Sequence, residues 1–263
     1  MRPIHSLCLV ALLLLYCPAK AQDSASDDDP DLPRVHYPLL VQHAASPEGF
    51  VPNGWVLEKK IEGDLNGDGA PDFVLVLHQK SRRNIIKNPD GMGDPEYDSN
   101  PRILAVLFAD KKSGGYALNA DNHLLIPRRD SPTISDPFNG VKIVSGSIRV
   151  DIQSWTSAGS WFASNRTFTF RYQNGSMILI GFDSYDYHRG SGAYAKASVN
   201  YLTRKAEITK GIENDKKTKK VKWKVLAADC PMPSLQQIGD GFEFQPPIPS
   251  SDTDPIATDD DQS

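Results

Sequence analysis

Thr167-Phe168-Thr169-Phe170-Arg171-Tyr172, then Gln173-Asn174-Gly175-Ser176, then Met177-Ile178-Leu179-Ile180: this stretch decides the fold class. In the first run every second residue is aromatic, so Phe168, Phe170 and Tyr172 share one face of an extended chain. The second run is apolar. Asn-Gly between two such runs supplies the positive-φ pair of a tight hairpin. An antiparallel strand pair is therefore predicted here. Working outward, Ile143 to Ile152 holds two short runs joined at Ser145-Gly146, a second hairpin signal. Val199 to Thr209 and Lys220 to Leu226 continue the series. Upstream, Phe73–Leu77 and Ile103–Phe108 are apolar at every position, which predicts strands covered on both faces. Trp55–Ile61 is a further strand signal. Roughly ten short strands, separated by turn residues and with little helical periodicity, predict an all-β antiparallel sandwich or open barrel. A short N-terminal helix is predicted over Pro38–Ala45, with Pro38 in its first turn.

The ends read differently. Met1-Arg2 is followed by the apolar run Leu7–Leu15 and by Ala19-Lys20-Ala21. That pattern predicts a secretory signal peptide over residues 1–21, cleaved after Ala21, and a periplasmic or secreted protein. The apolar run is well short of the roughly 20 residues of a membrane-crossing helix, so no transmembrane segment is expected. Tyr16 before Cys17 is too large for a lipid-modification site. Residues 22–35 hold five aspartates against one arginine, and residues 250–263 hold five with no base. With Pro-rich residues 245–249, these segments are predicted to be disordered tails. They leave residues 36–244 as one β-rich domain whose body is mildly basic. After cleavage Cys230 is the remaining cysteine, so an intramolecular disulfide is not available to that domain.

Between two strand signals lies Gly63-Asp64-Leu65-Asn66-Gly67-Asp68-Gly69-Ala70-Pro71-Asp72-Phe73. A hard cation such as calcium takes six to eight oxygens at about 2.3–2.6 Å. Alternating acids and amides on a tight loop supply them compactly. Asp64, Asn66 and Asp68 stand at positions 1, 3 and 5 of this loop, Gly69 at 6, the Ala70 carbonyl at 7 and Asp72 at 9. An EF-hand would place Glu at position 12 and enter a helix. Here that position is Leu75, within a predicted strand. Asp, Asn and Gly are also ordinary turn formers. A turn alone does not ask for this whole pattern. Asp64, Asn66, Asp68, Ala70 and Asp72 are therefore the predicted metal ligands. The expected cofactor is calcium, in a structural role.

The motif resembles the FG-GAP or VCBS-type repeat, in which a D-x-[DN]-x-D-G-x-x-D loop joins two β-strands. In arrays such repeats build β-propellers. This sequence has no second copy, so a complete propeller is not expected. The wider chain resembles a family of exported bacterial proteins through Pro101–Phe108, Asp136–Gly140 and Phe168–Gly175. That resemblance implies export and brings no particular activity.

Other features admit more than one reading. Lys216–Lys224 is strongly basic, and from Val221 it alternates apolar residues with lysine. Lysines guard sheet edges against unwanted pairing. The same strand suits an anionic glycolipid surface or an acidic partner. Trp155, Trp161, Phe162, Tyr185, Tyr187, Tyr194 and Tyr201 are either core or a platform for sugar or protein. Asp183, Asp186 and His188 lie close in sequence, but no nucleophile elbow accompanies them, and no catalytic residue is assigned. Residues 80–101 form a long polar insertion of the kind that is functional or disordered. The expected function is a non-enzymatic, calcium-stabilised domain that binds a protein or glycan of the cell envelope, without nucleic acid. The alternative is an envelope hydrolase using carboxylates near Asp90–Asp98.

Overall fold

The computed structural model describes residues 32–112 and 114–249. The predicted signal peptide, residues 22–31 and residues 250–263 lie outside the described residues.

Two antiparallel sheets face each other, and neither closes on itself. The first contains β1 (His43–Ala44), β2 (Trp55–Gly63), β3 (Asp72–Gln79), β6 (Arg102–Asp110) and β7 (Gly115–Asn122), in the order β1-β7-β6-β3-β2. A small hairpin, β4 (Ile85–Lys87) and β5 (Glu96–Asp98), stands apart inside the predicted insertion. The second sheet is a seven-stranded meander: β8 (Phe138–Val144), β9 (Ser147–Trp155), β10 (Phe162–Gln173), β11 (Ser176–His188), β12 (Ala193–Asn200), β13 (Lys205–Ile212) and β14 (Asp215–Val225). The architecture is the sandwich, not the open barrel.

Turn chemistry sets the meander's register. Gln173 pairs with Ser176 across Asn174 and Gly175, whose φ values are 51° and 86°. Both central residues thus adopt the left-handed region that a two-residue hairpin requires. Ser145 and Gly146 do the same between β8 and β9.

The apolar runs bury both faces of the first sheet. Val74, Val76, Leu104 and Val106 meet Ile148, Val150, Ile152, Phe168 and Phe170 of the second sheet. Their neighbours Phe73, Leu75, Leu77, Ile103 and Leu107 point the other way, into a core completed by Leu40, Phe50 and Trp55. Each such aliphatic side chain contributes about 1.5–3 kcal/mol on full burial.

That second core corrects the expected helix. Pro38–Ala45 runs extended and ends in β1, and a 3-10 turn at Pro47–Phe50 follows. Leu39 is 95% exposed while Leu40 is buried, so the segment has one apolar anchor and no helical stripe. The edge of β7 offers backbone partners instead. His43 and Ala44 pair with Ala117 and Tyr116, and Leu118 N donates to Gln42 O at 2.9 Å. Packing also reaches past residue 244. Phe244 lies 5.3 and 5.1 Å from Phe168 and Phe182. Ile248, isolated between Pro247 and Pro249, does not look like structure in a sequence, yet it packs on the main core.

Candidate metal centre

The loop between β2 and β3 closes on its own hydrogen bonds. Asp64 takes Gly67 N on Oδ1 at 2.7 Å and Gly69 N on Oδ2 at 3.0 Å. Asn66 Oδ1 accepts from Asp68 N at 2.9 Å, and Asp68 Oδ1 from Ala70 N at 2.7 Å. Gly67 and Gly69 have φ near 79° and 77°, which brings these N–H groups round to the side chains. The exit is the strand β3, as the motif requires.

Asp72 behaves differently from the other ligand candidates. It is fully buried. Its Oδ2 accepts from Leu65 N at 2.9 Å and Asn66 N at 3.3 Å, and its Oδ1 from Ala109 N at 2.9 Å. One carboxylate thus anchors the loop to itself and to the end of β6. Burial pushes its pKa up against these three donors, and the nearby Asp68 charge adds to the rise. On the open side, Lys111 Nζ donates to Asp68 O at 2.8 Å and stands 3.5 Å from Asp68 Oδ2. The Ala70 N–H donation to Asp68 holds that carboxyl below its usual range, and Lys111 adds to the effect.

The donor set is all oxygen and suits a hard cation. The accepting oxygens of Asp64, Asn66 and Asp68 each keep a second lone pair. Among the described residues, however, no three His, Cys, Asp or Glu side chains form a group that could hold a metal ion. The loop shares Asp64, Asn66, Asp68 and Ala70 on one short turn and commits Asp72 to the fold. It also sits at the junction of the sheets: a Cβ at Gly146 in the β8–β9 turn would lie 3.4 Å from Asp64 O.

A second polar centre was not visible in the sequence. Arg102, only 7% exposed, makes paired hydrogen bonds to Glu58 (2.6 and 3.0 Å) and to Asp136 (2.8 and 2.7 Å). Beside it, His78 Nδ1 lies 4.0 Å from Glu58 Oε1 and His78 Nε2 lies 3.8 Å from Asp98 Oδ2, with Lys80 Nζ 3.4 Å from Nδ1. His78 pairs directly with Arg102 on the neighbouring strand, and Glu58 is the unpaired bulge residue of β2, between Leu57 opposite Leu77 and Lys59 opposite Val76. Burial lowers the His78 pKa, and Arg102 lowers it further; Glu58 and Asp98 oppose this. The unfolded chain therefore binds this proton more readily than the fold does. Stability is full above about pH 6.5, the ordinary histidine value, and falls as pH drops below it toward the folded value. In urea titrations between pH 7 and 5, His78→Gln is expected to flatten the acid loss of stability. An unchanged slope would show that His78 contributes none of it.

The remaining candidates separate. In the 80–101 insertion, Asp94 pairs with Arg129 at 2.6 Å and Asp90 is exposed, so only Asp98 of that group approaches the His78 cluster. Asp186 turns to Arg166 at 2.9 Å and His188 to Ser191 Oγ at 2.8 Å, so each has a partner other than its sequence neighbour. Tyr201 is core. Trp155 and Trp161 stack on the Arg189 guanidinium, which is 5.0 and 5.8 Å from their rings, and both stay well exposed. Tyr185 and Tyr194 carry Lys196 over their rings at 4.8 and 5.3 Å. Cys230 is half-buried against the core, and burial raises its thiol pKa.

No helix among the described residues is long and apolar enough to cross a membrane. Comparison with protein-family models, curated proteins and solved structures returns no match.

Proposed function

We propose that this chain is an exported, calcium-stabilised β-sandwich protein that binds a protein or glycan of the cell envelope and does not turn over a substrate. The observation that carries the reading is the 64–72 loop, an all-oxygen donor set on a turn between two strands and against the other sheet. Asp64, Asn66, Asp68 and the Ala70 carbonyl would hold the ion, and Asp72 would hold the loop beneath it. Calcium supplies charge balance to a turn whose acids otherwise rely on Lys111 and backbone N–H groups. Export rests on the 1–21 pattern. Binding is supported by the exposed aromatics Trp155, Trp161, Phe162 and Trp223, which the core does not use.

Calcium linked to the folded state raises stability by about 2.7 kcal/mol at a hundredfold excess over Kd, which is roughly 5–10 °C for a domain of this size. The melting temperature is expected to rise by that amount in millimolar calcium relative to chelator, and Asp64→Ala with Asn66→Ala is expected to abolish the rise. Identical melting curves would remove calcium from the account. Affinity capture from envelope extract, with and without chelator, tests the binding half.

The hydrolase reading keeps one observation in its favour: Glu58 and Asp98 flank His78 near the β4–β5 hairpin. Turnover of an envelope glycan or peptide, lost in Glu58→Gln and Asp98→Asn while both variants stay folded, would install it instead.

A further inference from the structure

β14 is the last strand of the seven-stranded sheet, and no strand among the described residues pairs with its outer side. Its eleven residues hold six lysines and one aspartate. Residues directly opposite in an antiparallel pair share a face. Lys222 lies opposite Ile208, and Lys224 opposite Ala206, both core residues. The lysines therefore stand on the core-side face, at its rim. Val221, Trp223 and Val225 stand on the outer face, opposite Thr209, Glu207 and Lys205. They are 48%, 65% and 82% exposed. The amphipathic alternation is thus inverted.

Inward-pointing lysines alone are a sufficient guard for an edge. A guard does not need a tryptophan and two valines exposed on the other face of the same strand. Lys220 lies directly opposite Lys210, so the basic row of β14 continues along the same face beyond Lys222. A second copy of β14 would set lysine against lysine, so self-pairing is repelled. A strand with acids on the core-side face and apolar residues on the outer face matches both rows at once, while its backbone takes the outer N–H and C=O groups.

We propose that β14 is the docking edge for a protein partner that adds one extended strand of alternating acidic and apolar residues. This rests on the binding reading above and names its surface and the chemistry of its partner.

The probe is a fluorescein-labelled eight-residue peptide alternating Glu and Val, titrated into the full chain and read by anisotropy. Binding is expected, at least tenfold weaker for a peptide of the same composition in two blocks and for one N-methylated at alternate residues. Lys220→Glu with Lys222→Glu, and separately Trp223→Ser, are expected to weaken binding at least tenfold while circular dichroism stays unchanged. Equal binding of the block peptide overturns strand addition. So does tighter binding of anionic phosphatidylglycerol vesicles, lost in the lysine variant, which would make the edge a lipid contact. Equal binding of a peptide copying residues 250–263 overturns the alternating-strand chemistry and makes the chain's own segment the occupant. If the Glu-Val peptide fails to bind but the lysine variant still captures an envelope partner in a chelator-sensitive way, the docking edge falls and the broader binding reading stands. If capture fails as well, both fall.

Discussion

Asp72→Ala is expected to lower the melting temperature by about 10 °C, the largest effect of any single change in the metal-type loop. The carboxylate is fully buried and accepts three backbone N–H groups, two from the loop and one from Ala109 on β6. Alanine leaves all three without an acceptor. Each unsatisfied buried donor costs about 1–3 kcal/mol. The buried charge has its own desolvation cost, which raises the pKa and offsets part of the loss. A net loss of about 3 kcal/mol follows, and a domain of this size shifts by roughly 2–4 °C per kcal/mol. Asp72→Asn keeps one accepting oxygen but turns an NH2 group toward a backbone donor, so about half the loss is expected. Asp64→Ala removes an exposed carboxylate and is expected to cost less than Asp72→Ala in the absence of calcium. Thermal melts of the three variants in chelator order them. A melting temperature for Asp72→Ala within 2 °C of the parent would show that water or another group satisfies those donors.

The same residue shows how far the sequence reaches. The motif identified which side chains carry oxygen on the loop, because position along a tight turn is a local property. It did not identify which of them turns inward, because that depends on Ala109, 37 residues away. The hairpin at Asn174-Gly175 was legible for the local reason: two adjacent residues supply the turn. The continuous runs at Phe73–Leu77 and Ile103–Leu107 were legible because two covered faces leave no polar positions. Alternation in β14 showed which residues share a face but not which face turns toward the core, and the core-side face is the one carrying lysine. The extended Pro38–Ala45 segment was misread because its partner is the edge of a strand more than 70 residues later. The Arg102 centre draws on residues 58, 78, 98, 102 and 136, so no sequence window contains it.

That centre yields the second large effect. Arg102 and Glu58 belong to the first sheet, while Asp136 leads into β8 of the second, so one guanidinium spans the joint between them. Removing one partner of a buried ion pair costs about 3–5 kcal/mol, because the remaining charge is left without compensation. Asp136 is half-exposed and can be hydrated, whereas Glu58 is 24% exposed. The lower end of the range, about 3 kcal/mol, is expected for Arg102→Met in urea unfolding at pH 7. Arg102→Lys keeps the charge but not the planar fork that serves two carboxylates, so it is expected to recover less than half of that loss. Adding Glu58→Gln to Arg102→Met removes the stranded carboxylate. The double variant is expected to be more stable than the sum of the single losses by at least about 1 kcal/mol, the coupling of residues in direct contact. A second readout separates charge from packing. Arg102 is one of the groups that lower the His78 pKa. Without it the folded and unfolded values draw together, and the loss of stability below about pH 6.5 shrinks. A methionine variant that is destabilised at pH 7 yet keeps the parent's full acid slope would make Arg102 a packing residue over the Phe138 ring, 5.1 Å away, and not the electrostatic tie between the sheets.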